Sequence, residues 1–341
     1  MLLQVVLALA PVVVFLGALK LMDSFRLVRL PAIIAALLSG AAAAAVSLGL
    51  NQWLLQTLQV PPGIVSRYIA PLTEETAKAL PVLILVSTSR VGFLVDAALQ
   101  GFAVGTGFAL VENRTYLQSM SDASPMFWLV RGLGTAMLQG ATTTIVALVA
   151  KTLADLHRGR LWRAFAPGWA AAVLIHSLFN HRLLPPVAQM LLILIALPLL
   201  VLGVFARSER ATREWVGPGL DLDLELLQLV ESDAFAVTHF GRYLQELRER
   251  MPGPTVADMF CLLRIELELA IQAKALLLAR EAGLDIPVDD DLEASLTERR
   301  YLQRSIGRTG LLALKPLQVT SHRDDWHRHL LRRRATRRSP G

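Results

Sequence analysis

Long apolar stretches dominate the first 206 residues of this 341-residue chain. About 20 consecutive apolar residues are enough to cross a bilayer as an α-helix. By this criterion the sequence predicts seven membrane spans, at residues 1–22, 30–50, 68–86, 93–113, 126–150, 164–184 and 186–206. Hydrophobic residues make up 54% of the chain and its mean hydropathy is +0.48, and these values exclude a single soluble domain of this length.

The residues after position 206 have a different character. The net charge of +6 falls entirely within the first 206 residues, because acidic and basic residues balance beyond them. Residues 207–322 show amphipathic helical spacing over a length that suffices for a core of its own. We therefore expect an all-α protein, with a polytopic membrane bundle of about seven spans (1–206) followed by a small cytosolic helical domain.

The arginine-rich tail at residues 323–341 has two interpretations. A basic segment on the cytosolic side of a membrane is attracted to anionic lipid headgroups, and a flexible solubilising tail has the same composition. Nucleic acid is not an expected partner, because the tail has neither a recognisable binding fold nor interleaved aromatic residues.

Basic residues in the loops predict the orientation of the spans. Taken together, the loops after the first, third, fifth and seventh spans carry more Lys and Arg than the alternate loops, and cytoplasmic loops carry this excess in membrane proteins. No basic residue precedes the first apolar run, which favours a retained span over a cleaved signal peptide. We therefore expect an integral membrane protein with its N-terminus outside and its C-terminal domain in the cytosol.

The third predicted span contains two adjacent carboxylates and a lysine, Glu74, Glu75 and Lys78. On a helix this spacing places Lys78 next to both carboxylates. Ionisable side chains inside a bilayer are costly and mark functional sites by default. Because one lysine neutralises only one carboxylate, the pattern favours a functional role over a purely structural ion pair.

Two other spans carry polar residues at a similar depth. Glu112 lies near the outer end of the fourth span, and His176 and Asn180 share one face of the sixth. Taken singly, Glu112 is as typical of an ordinary helix-end carboxylate as of a functional acid, and a lone histidine such as His176 is more often a packing residue. With the predicted topology, however, these groups and Glu74 all lie within roughly 12 Å of the outer face. The sequence therefore predicts one polar site open to external water.

Such a set of side chains is suited to hydrolysis. A glutamate with a nearby histidine can deprotonate water, and a neutral donor such as Asn180 can stabilise the resulting oxyanion. The spans contain no serine nucleophile motif and no His-Glu-x-x-His run, so serine and ordinary zincin chemistry are disfavoured. No cofactor is predicted, although a zinc ion held by Glu74, Glu112 and His176 stays open as an alternative.

Three short motifs lie in order on separate spans, at residues 74–78, 108–112 and 176–180. They resemble the Glu-Glu-x-x-Lys, Phe-x-x-x-Glu (beginning here at Phe108) and His-x-x-x-Asn motifs of the PrsW-type intramembrane glutamic proteases, which are related to the CAAX prenyl endopeptidases. Each motif is weak alone, and their combination carries the resemblance. The glutamate of the second motif is typical of the PrsW branch, since prenyl endopeptidases usually have histidine there.

The resemblance implies a membrane endopeptidase of a bacterial plasma membrane that cleaves a membrane-anchored protein, such as an anti-sigma factor. It implies that Glu74 is the general base, Glu75 its structural or electrostatic partner, and Glu112 a group that orients the base or the water. It also implies that His176 and Asn180 donate to the oxyanion.

One position departs from the family pattern. Relatives often carry a histidine in the fifth span, where this chain has Gln139 after Arg131. If that histidine is catalytic in relatives, the departure implies a weaker enzyme or a Gln139 that only forms hydrogen bonds. It is also the feature that most favours the main alternative, a non-catalytic membrane scaffold or receptor that keeps the protease fold. Proton or ion transport is a third possibility, but the sequence shows no internal repeat of the transporter kind.

Overall fold

The computed structural model describes residues 2–23, 25–120, 122–156, 161–284, 291–314 and 331. Throughout these ranges the chain forms helices and turns without any strand, which confirms the predicted all-α class. The chain divides into two compact units, Met1–Glu209 and Arg210–Gly341. The predicted basic tail at 323–341 lies outside the described residues, apart from position 331.

The first unit is built from apolar helices joined by short connections. Its helices are α1 (Leu2–Leu21), α2 (Leu30–Leu58), α3 (Pro62–Ile64), α4 (Ala70–Ser87), α5 (Leu94–Ser119), α6 (Pro125–Val130), α7 (Ala136–Leu156), α8 (Leu161–Asn180) and α9 (Pro186–Glu231), whose residues after Glu209 belong to the second unit. Two π-helical turns interrupt this series, the first at Val65–Ile69 before α4 and the second at Arg131–Thr135 before α7.

Each of the seven predicted spans is largely helical, although α8 ends at Asn180, before the predicted end of the sixth span at residue 184. Five helical stretches in the described part of the chain are long and apolar enough to cross a membrane. These are Leu2–Leu21, Leu30–Thr57, Leu94–Ser119, Pro125–Asp155 and Pro186–Glu231. The helices that fall short are α4 and α8. Both carry the polar residues that the sequence analysis assigned to the site, and those residues lower their mean hydropathy.

Helices α2, α5, α7 and α9 extend several residues beyond the ends predicted for their spans. The second span was expected to end at residue 50, but α2 continues to Leu58. The fourth was expected to end at residue 113, but α5 continues to Ser119. Hydropathy marks where a chain leaves the apolar layer, whereas a helix continues until its backbone hydrogen bonds stop. The extension of α2 places Asn51 inside a helix rather than in a loop.

Helix α5 lies at the centre of the first unit and is buried along most of its length, in contact with α1, α2 and α7. Glycines allow its neighbours to approach closely. A Cβ atom at Gly107 would lie 1.9 Å from the Leu37 carbonyl oxygen of α2, and one at Gly105 would lie 2.2 Å from the Gln139 carbonyl oxygen of α7. Small residues therefore set the spacing that brings side chains of α5 and α7 together.

The second unit contains α10 (His239–Arg248), α11 (Gly253–Glu281) and α12 (Leu292–Leu314), with a short 3₁₀ turn at Asp233–Val237. Its core lies along α11, where apolar side chains are almost completely buried: Met259, Leu262, Ile265, Leu269 and Leu277. Two ion pairs stabilise the same helix, from Lys274 to Asp223 at 2.7 Å and from Arg299 to Glu266 at 2.6 Å. This unit thus has a helical core of its own.

Candidate active site

Helices α4, α5, α7 and α8, with the second π-turn, bring polar side chains together inside the first unit. We call this set the polar cluster; its members are Glu74, Glu75, Lys78, Glu112, Arg131, Gln139, Thr142 and His176. Every member is buried, with no more than 9% of its surface exposed. Of the residues that the sequence analysis placed in the site, Asn180 lies outside the cluster, and Phe108 packs at its edge with its ring centroid 5.0 Å from Lys78 Nζ.

Glu75 is the most tightly held carboxylate of the cluster. Its Oε1 atom lies 2.7 Å from Lys78 Nζ, 3.1 Å from Thr142 Oγ1 and 2.7 Å from His176 Nδ1. Because a carboxylate paired with an ammonium group accepts hydrogen bonds, Nδ1 of His176 is the donor in this contact. In a neutral imidazole the other ring nitrogen, Nε2, is then an acceptor. Glu75 thereby fixes both the orientation and the tautomer of His176.

Glu74 has the weakest set of partners among the three glutamates. Its Oε2 atom lies 3.3 Å from Gln139 Nε2 and 3.9 Å from His176 Nε2, and its Oε1 atom lies 3.5 Å from Asn51 Nδ2. Within the described residues, neither Lys nor Arg forms an ion pair with Glu74. Lys78 was expected beside both adjacent glutamates, but it bonds Glu75 and reaches Glu74 only through Gln139.

Gln139 connects the two halves of the polar cluster. Its Oε1 atom accepts a hydrogen bond from Lys78, while its Nε2 atom donates to Glu74 Oε2 and, at 2.9 Å, to Glu112 Oε2. The amide oxygen must face Lys78 and the amide nitrogen must face the two glutamates, because ammonium groups only donate hydrogen bonds and carboxylates accept them. A histidine at this position would be unable to offer one acceptor and two donors at once. The departure from the family pattern therefore has a defined structural role.

Arg131 holds Glu112 from the opposite side. Its guanidinium group donates to Glu112 Oε1 at 2.9 Å and to Asn113 Oδ1 at 3.0 Å, and its Cζ atom lies 3.6 Å from the centroid of the Tyr116 ring. Arg131 begins the second π-turn. Glu112 is therefore an ion-paired acid with both oxygens engaged, by Arg131 and by Gln139.

Asn180 is directed toward the first π-turn. Its Nδ2 atom donates to the Ser66 carbonyl oxygen at 2.9 Å, and the neighbouring Ser177 hydroxyl donates to the Arg67 carbonyl oxygen at 2.7 Å. Pro71 explains why these carbonyl groups are available. It lies four residues after Arg67 and five after Ser66, and it has no N–H to serve as either the α-helical or the π-helical partner. Asn180 thus connects α8 to the turn that leads into α4.

Sequence reasoning missed three polar contributors to this region. Thr142 bonds Glu75, and Thr73 donates from its hydroxyl to Asn51 Oδ1 at 2.6 Å. Thr142 had a detectable signal, because it lies three residues after Gln139 and hence on the same face of a helix. Asn51 had none, since it follows the predicted end of the second span.

In the described residues the side chains of Glu74, Glu112 and His176 do not form a metal site. Across the described ranges, no three His, Cys, Asp or Glu side chains are grouped so that they could hold a metal ion. The amide nitrogen of Gln139 faces the Oε2 atoms of both Glu74 and Glu112. Its N–H groups carry positive partial charge and therefore partly offset the negative charge of these two carboxylates, as a cation would.

Comparison with known proteins agrees with the predicted resemblance. The profile of a family described as "PrsW family intramembrane metalloprotease" matches residues 28–204, which is just over half of the chain and includes the whole polar cluster. No curated protein and no solved structure matches the chain. Family membership and the apolar helices together make the protein a membrane-embedded hydrolase. The chain belongs to the PrsW family of intramembrane proteases.

Proposed function

We propose that the protein hydrolyses a peptide bond of a membrane-anchored protein substrate, with Glu74 as the general base that activates water. The observation that carries this proposal is the pairing pattern of the three glutamates. Glu75 is paired with Lys78 and Glu112 with Arg131, whereas Glu74 has no cationic lysine or arginine partner among the described residues. An acid that is not committed to an ion pair is the one best able to take a proton.

Glu74 and His176 are placed to hold the attacking water. Glu74 Oε2 and His176 Nε2 are 3.9 Å apart, and one water molecule can donate a hydrogen bond to each of them. Its oxygen lone pair is then free to attack a carbonyl carbon. In this arrangement His176 orients the water as an acceptor, and Glu75 keeps the histidine in the required tautomer.

The reaction needs no other reactant. Glu74 takes one proton of the water, the water oxygen adds to the carbonyl carbon, and the π electrons move to the carbonyl oxygen. When the C–N bond breaks, the proton held by Glu74 moves to the departing amine. Peptide and water thus give one new carboxyl terminus and one new amino terminus.

The setting of the polar cluster supports a membrane-anchored substrate. Its residues lie within helices of the apolar unit, so a scissile bond must come to the bilayer rather than remain in bulk water. We propose that the substrate is a single-span protein, such as an anti-sigma factor, in a bacterial plasma membrane. The N-terminus lies outside in this proposal, the second unit is cytosolic, and the basic tail contacts anionic lipids.

This proposal is tested on membranes from cells that lack the gene. The purified protein is reconstituted in lipid vesicles, and these vesicles are fused with the membranes. We expect it to cleave one or a few single-span proteins, whose new termini are detected by mass spectrometry. The soluble proteins of the same cells serve as the matched control and should remain intact. Membrane proteins without any new terminus after prolonged incubation would contradict a protease function.

A further inference from the structure

We propose that Asn51 is a catalytic residue whose side-chain amide donates a hydrogen bond to the oxyanion formed during peptide hydrolysis. This assignment rests on the proposed function of the Glu74 site. It concerns a residue outside the three motifs, on a helix that the sequence analysis did not connect with the site.

Hydrolysis at Glu74 requires a donor that the expected residues do not provide. In a neutral imidazole whose Nδ1–H donates to Glu75 Oε1, Nε2 of His176 is an acceptor and offers no proton to an oxyanion. One N–H of Asn180 Nδ2 donates to the Ser66 carbonyl oxygen at 2.9 Å, and in the described part of the chain Asn180 forms no hydrogen bond with a member of the polar cluster. Both residues were expected to stabilise the oxyanion, and neither directs a donor to Glu74 in this structure.

Two side-chain amides remain close to Glu74, and their engagement differs. Gln139 Nε2 has two N–H groups, and these are directed at Glu74 Oε2 and Glu112 Oε2. Asn51 Nδ2 makes only a long contact of 3.5 Å with Glu74 Oε1. A weak ground-state contact costs little to exchange for a stronger one with a developing negative charge, which is the property of an effective oxyanion donor.

The orientation of the Asn51 amide is fixed by its neighbour. Asn51 Oδ1 is the nearest of three acceptors of the Thr73 hydroxyl proton, at 2.6 Å against 3.1 and 3.0 Å for the carbonyl oxygens of Ile69 and Ala70. The Nδ2 group is turned toward Glu74 Oε1, which as a carboxylate oxygen favours a donor there. Thr73 directly precedes Glu74 in α4. One turn of α4 therefore holds both the base and the group that aims the donor, and such preorganisation is what stabilises charge in a transition state.

The test measures kcat, KM and the thermal unfolding temperature of purified variants in lipid vesicles, on a substrate identified by its new terminus. We expect Asn51→Ala to lower kcat by about 100-fold with little change in KM, because removal of one oxyanion donor has an effect of this size. Thr73→Val should lower kcat less, and Thr73→Ser should retain it because the hydroxyl is kept. The matched control is Gln52→Ala, at an exposed position next to Asn51 in α2.

Glu74→Gln, measured in parallel, separates failure of this assignment from failure of the proposed function. If Glu74→Gln retains turnover, the proposed function is wrong and Asn51 has no oxyanion to stabilise. If Glu74→Gln is inactive while a folded Asn51→Ala variant keeps a wild-type kcat, only the assignment of Asn51 is overturned. A larger fall in kcat for Asn180→Ala than for Asn51→Ala, at equal unfolding temperature, would also overturn it by returning the donor role to Asn180.

Discussion

Replacing Glu74 with glutamine is expected to lower kcat by about three orders of magnitude, within the range that general acid–base catalysis contributes. Glutamine has the same shape as glutamate, and its side-chain oxygen can still accept a hydrogen bond from Gln139 or Asn51. What it loses is the ability to take a proton from water. Because Glu74 forms no ion pair with Lys78 or Arg131, the variant should fold normally.

The measurement is single-turnover cleavage by the purified variant in vesicles, with its unfolding temperature recorded alongside. Glu246→Gln, an exposed acid on α10, is the matched control for the same chemical change and should cleave at the wild-type rate. A Glu74→Gln protein with turnover within tenfold of the wild type would remove Glu74 from the base role.

Replacing Lys78 with methionine is expected to lower the free energy of unfolding by about 3–5 kcal/mol, which is the usual cost of breaking a buried ion pair by removing one partner. Lys78 and Glu75 both have fully buried side chains, 2.7 Å apart. Without Lys78, Glu75 keeps its contacts with Thr142 and His176 but loses its only cationic lysine or arginine partner in the described part of the chain. In addition, Gln139 Oε1 loses the ammonium group that orients it.

Denaturant titration in mixed lipid–detergent micelles, followed by tryptophan fluorescence, measures this loss. Lys20→Met is the control, since Lys20 pairs with Asp23 at the same i,i+3 spacing and 2.8 Å, but with 30% of its side chain exposed. We expect that control to lose under about 1 kcal/mol, because two backbone N–H groups also hold Asp23. Combining Lys78→Met with Glu75→Gln should recover much of the stability. A loss below 1 kcal/mol for Lys78→Met alone would show that the pair is not the stabilising element we describe.

The sequence was sufficient to predict the helices and most of the residues that meet in the polar cluster. Spans are recognisable because their length and apolarity follow directly from the thickness of the bilayer. Glu74, Glu112 and His176 were recognisable because charged and polar groups in such spans are rare and costly. Depth along each helix then placed them at one level. These properties depend on composition and on position along a helix, and both can be obtained directly from the sequence.

The partners of each side chain were not predictable in the same way, because they depend on how each helix is rotated about its axis. Lys78 has two adjacent glutamates within reach on a helix, and the rotation of α4 against α7 and α8 places it on Glu75. Asn180 occupies the expected face of α8, yet Pro71 leaves the Ser66 carbonyl oxygen free to accept its hydrogen bond. Asn51 was missed because an apolarity window ended the second span before the helix itself ended.

Gln139 shows why a departure from a family motif needs a structure for its interpretation. From the sequence, the absence of the usual histidine favoured a protein that had lost its activity. In the structure the amide accepts from Lys78 and donates to Glu74 and Glu112. An amide with this set of contacts keeps the two carboxylates together without a cation between them, which is consistent with water activation by protein groups alone.

Turnover after complete removal of metal ions tests this account most directly. The purified protein would be stripped with a strong chelator and dialysed, its residual metal content determined by mass spectrometry, and its kcat on a single-span substrate measured with and without added zinc. We predict an unchanged kcat in the metal-free protein, because in the proposed mechanism Glu74, oriented by the Gln139 amide, activates the water without a metal ion. Loss of cleavage on stripping, with recovery on addition of zinc, would contradict the account.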